Sequence, residues 1–350
     1  MNLKSLGVKD IAKLANVSIG TVDRVLHNRE GVSLKTKEKI LAIIKQYNYE
    51  PNIIAQSLTK KNIKYFKAII PRSSKESTYW QAPLQGIRNA IEEVKNYGIE
   101  VEILLFDQND ITSFNVLQET LNFKELHGLL IAPMFKEQTL ALISKCEENS
   151  IPYVFINSDL NQAHAIGYFG PDLHQSGLVA ANLIQYSSAP QDSILIVNIS
   201  KELYPEHHLY IKQEALKSYF RKPKEREIHT LDIRSTESEI INRELHYFFE
   251  HHKVKVIFVT NSRVSSVASY LRSRGLYEGI LLIGFDYLED NLQYLEENVI
   301  DFLICHKPIQ QGYQALLSLF NYVKFGKKGV QKTFMPIDII SQYNYKYYDN

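Results

Sequence analysis

Val8-Lys9-Asp10-Ile11-Ala12-Lys13-Leu14-Ala15-Asn16-Val17-Ser18-Ile19-Gly20-Thr21-Val22-Asp23-Arg24-Val25-Leu26 reads as two short helices separated by a tight turn. Ile11, Leu14 and Ala15 fall at i, i+3 and i+4, one apolar face of a first helix. Ser18 is placed to cap a second helix, in which Val22, Val25 and Leu26 form the buried stripe. Two short helices joined in this way make a helix-turn-helix, whose second helix lies in the major groove of DNA. The expected partner is therefore double-stranded DNA.

Charge is distributed to match. Residues 1–64 carry 12 Lys and Arg against 5 Asp and Glu, whereas the whole 350-residue chain carries 40 against 39. The remainder is left with 28 basic and 34 acidic side chains. Phosphate contacts need cations, and they are concentrated in one segment. A third helix follows: Gly31-Val32-Ser33 forms its turn and cap, and Lys35 to Tyr47 continues with Ile40, Leu41 and Ile44 on one face. Pro51 can only begin a helix, so residues 52–60 make a candidate helix of about two turns, too short to be stable in water alone.

The strings "KDIAKLANVS", "TVDRVLHN", "GVSLKTKEKIL" and "YNYEPNIIAQSL" cover residues 8–58 almost without gaps and resemble the DNA-binding head of the lactose-repressor (LacI) family. The resemblance implies that residues 52–60 are a hinge helix, folded when two copies pair over the minor groove. Leu58 then matches a leucine wedged into the central base step, with Ala55 packed beside it; apolar wedges of this kind kink DNA. Ile19 and Gly20 match the positions that reach base edges, and Ile19 suits a thymine methyl. Asp23 stands where the family usually has serine. Arg24 matches an arginine that reads guanine, Ser18 and Thr21 suit phosphate contacts, and Asn28 completes the DNA-binding set.

The remaining 290 or so residues exceed what one core commonly holds. Apolar runs of strand length occur at 66–70, 99–106, 128–132, 152–157, 193–199, 254–260, 280–285 and 301–305. Amphipathic stretches lie between them at 84–97, 136–149, 172–186, 208–221, 236–252, 262–274 and 308–324. Strands alternating with helices predict an α/β fold with parallel sheets covered on both faces. Such sheets bind ligands beyond the carboxyl ends of their strands. Ser73, Ser74, Tyr79 and Trp80 follow the first run, Asn157 and Asp159 the fourth, and Asn261, Arg263 and Asp286 follow runs in the second half. An indole face ringed by carboxylates and amides suits a sugar.

The strings "IPYVFINSDL", "GPDLHQSGLVAANLI", "VTNSRVSSVASYLRSRG", "LLIGFDYLED" and "ICHKPIQQGYQALLSLF" resemble the periplasmic-binding-protein-like effector domain of the same family. This implies two doubly wound lobes, with crossings near 164, 290–306 and 325, and an effector in the cleft between them. Asn261 matches the first member of an Asn-Asp pair whose aspartate is here Ser262. Asp286 matches the aspartate of a G-x-D motif, and His306 replaces a usual glutamine. The family's clamping arginine ahead of a glycine falls in a run that here reads His207, His208 through Lys212, with Ala215 at the glycine position. These departures leave the sugar open and extend the candidate effector set to His208 and His306.

The expected organisation is a helix-turn-helix head over 1–50, a hinge helix and linker over 51–65, an effector-binding and dimerisation domain over 66–341, and a tail over 342–350. The N-lobe takes about 66–164 and 307–324, and the C-lobe about 165–304 and 325–341. Two heads on a two-fold axis read two half-sites, so the expected state is a homodimer or a tetramer on a pseudo-palindromic operator. Cys146 and Cys305 are far apart and match no metal spacing, which points to a reducing compartment. The adjacent pairs His207-His208 and His251-His252 do not share a helix face, so no metal is expected. No nucleotide-binding glycine motif or nucleophile elbow occurs, so neither a cofactor nor enzyme activity is expected. No apolar run suits export or a membrane span, and a cytoplasmic chain is expected. The competing readings are a solute-binding protein and an enzyme carrying a DNA-binding head.

Overall fold

A computed structural model describes residues 8–26, 30–47, 63–74, 78–160, 163–201, 208–221, 226–329 and 331–350. The chain divides into a small helical unit, up to residue 63, and a large α/β unit. The hinge segment 52–60 lies outside the described residues, as do Asn28, Ala55 and Leu58.

The helical unit contains α1 (Val8–Ala15), α2 (Ile19–Leu26) and α3 (Leu34–Gln46). Its core is Ile11, Ala12, Ala15, Val22, Val25 and Ile40, with Leu26, Ile43 and Ile44 packed against it. Two expected core residues are corrected. Leu14 and Leu41 are about half exposed, at 47% and 46%. Each lies one helical step off the face that meets the other helices, and Ala12 and Ile43 take the inward positions. The turn between α1 and α2 has a specific geometry. Asn16 adopts a left-handed backbone at φ 56°, the Asn16 amide donates to Lys13 O at 3.1 Å, and the Val17 amide donates to Ala12 O at 3.0 Å. This is the double hydrogen bond that closes a helix with a left-handed residue, a role asparagine tolerates. The Thr21 amide donates to Ser18 Oγ at 3.1 Å, and the Thr36 amide to Ser33 Oγ at 3.3 Å, capping α2 and α3.

In the large unit the chain runs β1 (Lys64–Pro71), α4 (Gln81–Val94), β2 (Ile99–Phe106), α5 (Ile111–Glu119), β3 (Leu126–Ile131), α6 (Lys136–Glu148), β4 (Tyr153–Ile156) and β5 (Gly167–Gly170). It continues through α7 (Leu173–Ser187), β6 (Ile194–Ile199), α8 (His208–Tyr219), β7 (Ile228–Ile233), α9 (Ser238–His251), β8 (Val256–Val259), α10 (Val264–Ser273) and β9 (Leu281–Phe285). It ends with α11 (Glu289–Glu296), β10 (Phe302–Cys305), α12 (Pro308–Phe325), β11 (Lys332–Phe334) and β12 (Asp338–Ile340). Two six-stranded sheets result, ordered β11-β5-β4-β3-β1-β2 and β12-β10-β9-β8-β6-β7. Every strand pair is parallel except β10 with β12. Central strands such as Ile194–Ile199 and Val256–Val259 are buried throughout, as sheets covered on both faces require.

The lobe boundaries differ from those expected. Gly167–Gly170 pairs with β4, so the first lobe extends past residue 164 and the first crossing falls at 171–172. The next falls at 306–307, between β10 of the second sheet and α12, which packs on α4 of the first lobe. That contact is intimate: a Cβ on Gly312 would lie 2.2 Å from the Pro83 carbonyl oxygen. The third crossing falls at 335–337, because β11 joins the first sheet and β12 the second. Residues 342–350 are also not a loose tail. Tyr345 is buried in the second-lobe core and Tyr348 packs against that core, although Tyr343 and Tyr347 are exposed.

Candidate functional site

The helical unit and the large unit each hold a candidate site. The inner face of α2 is occupied by Val22 and Val25, which leaves Ile19, Gly20 and Arg24 exposed on the outer side. Ile19 retains 49% of its surface, unusual for an isoleucine in so small a unit. Ser18 and Thr21 share a hydroxyl hydrogen bond of 2.9 Å at the amino end of α2. Thr21 and Asp23 are half-buried. The structure thus brings Ser18, Ile19, Gly20, Thr21, Asp23 and Arg24 onto one short helix and its cap, a rigid element with small side chains at its first turn. A groove-reading helix needs that close approach.

In the large unit a cleft opens where the carboxyl ends of the strands of both sheets face each other. From the first lobe it is lined by Tyr79, Trp80, Gln108 and Asn157, and from the second by Lys212, Asn261, Arg263 and Asp286, with His306 at the crossing between them. The backbone conditions for this are local. Asn157 at the end of β4 and Asp286 at the end of β9 take left-handed conformations, φ 65° and 73°, which turn each chain sharply off its sheet. Asn and Asp are the non-glycine residues that accept this most readily. Asn291, fully buried on α11, fixes the second turn by donating to the Phe285 and Asp286 carbonyls, both at 3.0 Å.

Trp80 is 3% exposed. Its indole Nε1–H donates to Gln108 Oε1 at 3.2 Å, and its ring meets that of Tyr79 edge-on at 5.2 Å. The Tyr79 hydroxyl donates to Asn157 Oδ1 at 2.9 Å. Burial and the Asp286 charge hold the Tyr79 phenol well above its ordinary pKa, so it remains a neutral donor.

The second lobe contributes the charges. Lys212 comes from α8, four residues after His208 and on the same face, which is why both line the cleft. A Cβ on Gly177 would lie 2.3 Å from the Lys212 carbonyl oxygen, so α7 presses α8 into position. Lys212 Nζ lies 4.0 Å from the Phe285 ring centroid. Burial lowers the Lys212 pKa and raises that of Asp286, while each charge partly offsets the effect on the other. His306 stacks on Phe285 at 5.8 Å. Its Nε2 lies 2.8 Å from Ser176 Oγ, which in turn donates to the Asp172 carbonyl at 2.6 Å. The serine hydroxyl has one proton and that proton is directed to Asp172, so the imidazole Nε2 carries the hydrogen. Burial, then the Lys212 charge, pushes the His306 pKa down to about 3.

Tyr79, Trp80, His208, Asn261, Arg263, Asp286 and His306 of the expected effector set therefore come together. Ser74 and Asp159 are corrected. Ser74 sits just beyond β1 outside the cleft lining. Asp159 turns away to pair with Lys332 on β11, Nζ to Oδ2 2.7 Å. Asn261 lines the cleft, but its amide donates to the Ile199 carbonyl at 2.7 Å and its oxygen accepts the Arg263 amide at 3.3 Å. It shapes the loop as much as it faces the cavity. Asn157, which follows the fourth run, also lines the cleft, whereas Lys212 and Gln108 lie outside the expected set. The signal for Lys212 was present in its spacing from His208 and in a lysine placed on an apolar helix face. Among the described residues no group of three His, Cys, Asp or Glu side chains gathers as a metal site. No helix there is long and apolar enough to cross a membrane.

Comparison with known proteins matches the head and the body separately. Residues 7–52 match the lacI family of bacterial regulatory proteins, and residues 40–328 match the periplasmic binding protein domain. The chain is 28% identical over 153 residues to the HTH-type transcriptional regulator MalR of Staphylococcus xylosus, covering 44% of each chain. It is 30% identical over 160 residues to the sucrose operon repressor of the same organism, covering 45% of this chain and 47% of that one. The alignments thus span about half the length of these relatives. A solved structure from Bacteroides fragilis, assigned as a LacI transcriptional regulator, superposes with a TM-score of 0.72 at 26% identity, covering 82% of this chain and all of the other.

Proposed function

Because the chain belongs to the lacI family of bacterial regulatory proteins and carries the periplasmic binding protein domain as its body, we propose that it is a ligand-responsive transcription regulator, most simply a repressor. Its head binds a pseudo-palindromic operator as a homodimer, and its interlobe cleft binds a small carbohydrate-related effector. The observation that carries this reading is the pairing, in one chain, of an α2 whose outer face exposes Ile19, Gly20 and Arg24 with a two-lobed cleft of buried charges and amides. The repressor among its relatives named for a sucrose operon supports a sugar as the ligand class.

The proposed mechanism is a population shift. Effector bound between the lobes favours one lobe arrangement, and the two heads then fit, or no longer fit, successive grooves. Coupling of this kind is typically worth about 1–3 kcal/mol and acts reciprocally on both ligands.

Selection of the full chain against a pool of random duplexes tests the proposal. Enrichment of one sequence with two-fold symmetry is expected. Recovery of unrelated sequences, with no symmetric site, would overturn the operator reading.

A further inference from the structure

The cleft contains more than a sugar's hydroxyls require. Lys212 is a 5% exposed lysine whose ammonium faces the cavity. Among the described residues its Nζ contacts the Phe285 ring but makes no hydrogen bond and no ion pair within 4.0 Å. An ammonium carries three donors, and leaving them unmet in a buried position is unfavourable. Asp286 is in the complementary position. Its backbone amide donates to Ile304 O at 3.0 Å and its carbonyl accepts from Asn291, but its carboxylate accepts no hydrogen bond from a described side chain. A cation and an anion therefore face one cavity, close enough to perturb one another, each with open hydrogen-bonding capacity.

The rest of the lining tilts the balance further. It includes Lys201 and Arg263 besides Lys212, with Asp286 as the one carboxylate among the described lining residues. Neutral sugars offer dipoles to such a set, whereas a carboxylate gives Lys212 a charge-assisted bond, roughly twice as strong as a neutral one. Lys201 is exposed and Arg263 half-buried, so Lys212 is the one buried cation of the three, and one buried ammonium matches one negative charge where a phosphate brings about 1.5 to 2. Asp286 would repel the ligand's acid group and attract its hydroxyls, which fixes the ligand's direction in the cleft. Resting on the cleft as the effector site, we propose that the effector is an acidic sugar, a polyhydroxylated molecule with one carboxylate, whose carboxylate meets Lys212 and whose hydroxyls donate to Asp286.

Matched ligand pairs test this on the full chain by calorimetry and thermal shift. The probes are D-glucose with D-glucuronate and D-galactose with D-galacturonate, and D-glucose again with D-gluconate and with D-glucose 6-phosphate. At least one sugar acid is expected to bind saturably while its neutral partner, at equal concentration, does not. Lys212→Met is expected to weaken that acid at least about tenfold, and Lys212→Arg to recover part of the loss. The melting temperature of each unliganded variant reports whether it is folded. Binding of neutral sugars alone, of the phosphate alone, or of none of these probes would overturn the proposal, as would an acid bound equally by Lys212→Met and wild type. Selected DNA is bound in parallel: retained symmetric-site binding means that only the ligand class has failed, and its absence means that the regulator reading has failed.

Discussion

The backbone amide of Lys307 donates to the hydroxyl of Tyr348 at 3.3 Å, at the point where the chain passes from the second lobe to the first. Lys307 has a left-handed backbone, φ 49°, and its Nζ lies 4.3 Å from the Tyr348 ring centroid. The final described segment therefore fastens a lobe crossing that borders His306 and the cleft. Tyr348→Phe removes the acceptor and leaves the ring. It is expected to lower the unfolding free energy by about 1 kcal/mol, the usual net value of such a bond. Urea unfolding checks this, and a midpoint equal to wild type would mean that the contact contributes nothing to stability.

His306 confers a pH dependence whose sign is fixed by its burial. Its pKa falls from 6.5 to about 3 in the folded chain. Between those values the unfolded chain takes up a proton that the native imidazole refuses, so this contribution to stability is whole above 6.5 and is lost as pH falls toward 3. Asp286 acts in the opposite direction, because its raised carboxyl gains a proton before the unfolded carboxyl does. His306→Gln removes the first effect alone. Its stability is expected to fall less steeply than that of wild type as pH is lowered through this interval, measured by urea titration at several pH values. A parallel pair of curves would contradict the account.

Arg24 is exposed on α2 and outside the small core formed by Val22, Val25 and Ile40. Arg24→Ala is expected to leave the melting temperature unchanged and to reduce affinity for the selected duplex by about 1–3 kcal/mol, the scale of one base-reading arginine. Fluorescence anisotropy reads the affinity. Equal losses on selected and random duplexes would instead identify Arg24 as a phosphate contact.

Trp80 is the one tryptophan in the sequence and it lines the cleft. Ligand entering between the lobes is expected to shift or quench its emission with the same midpoint that calorimetry gives. Emission unchanged at saturation would place the ligand away from Trp80 and Tyr79.

Much of this was legible before folding. The helix-turn-helix follows from Ser18 and the Val22, Val25 stripe, because short-range periodicity and capping are local. The long apolar runs at 193–199 and 254–260 correspond to central strands, which read plainly when both faces are buried. Of the edge strands, β2 reads at 99–106, but β7, β11 and β12 do not. Ile228–Ile233 and Lys332–Phe334 are partly exposed, so their residues show no continuous apolar run. Four-residue β5, with glycine at both ends, was also too short to register, and this displaced the lobe boundary. In the site, Asp286 and Trp80 were found from their place after a strand. Asp159 was misplaced because its true partner, Lys332, is far away in sequence and brought close only by β11 pairing with β5. Lys212 did not read as a site residue because the family pattern in that run calls for an arginine, and only folding shows that its lysine is the buried cation of the helix.

The most direct test of the regulator account is anisotropy of the full chain on the selected symmetric duplex and on its isolated half, across a salt series. The account predicts clearly tighter binding to the symmetric duplex and an affinity that falls steeply as salt rises, because several phosphate contacts release counterions. Equal affinity for the half-site, or a flat response to salt, would contradict it.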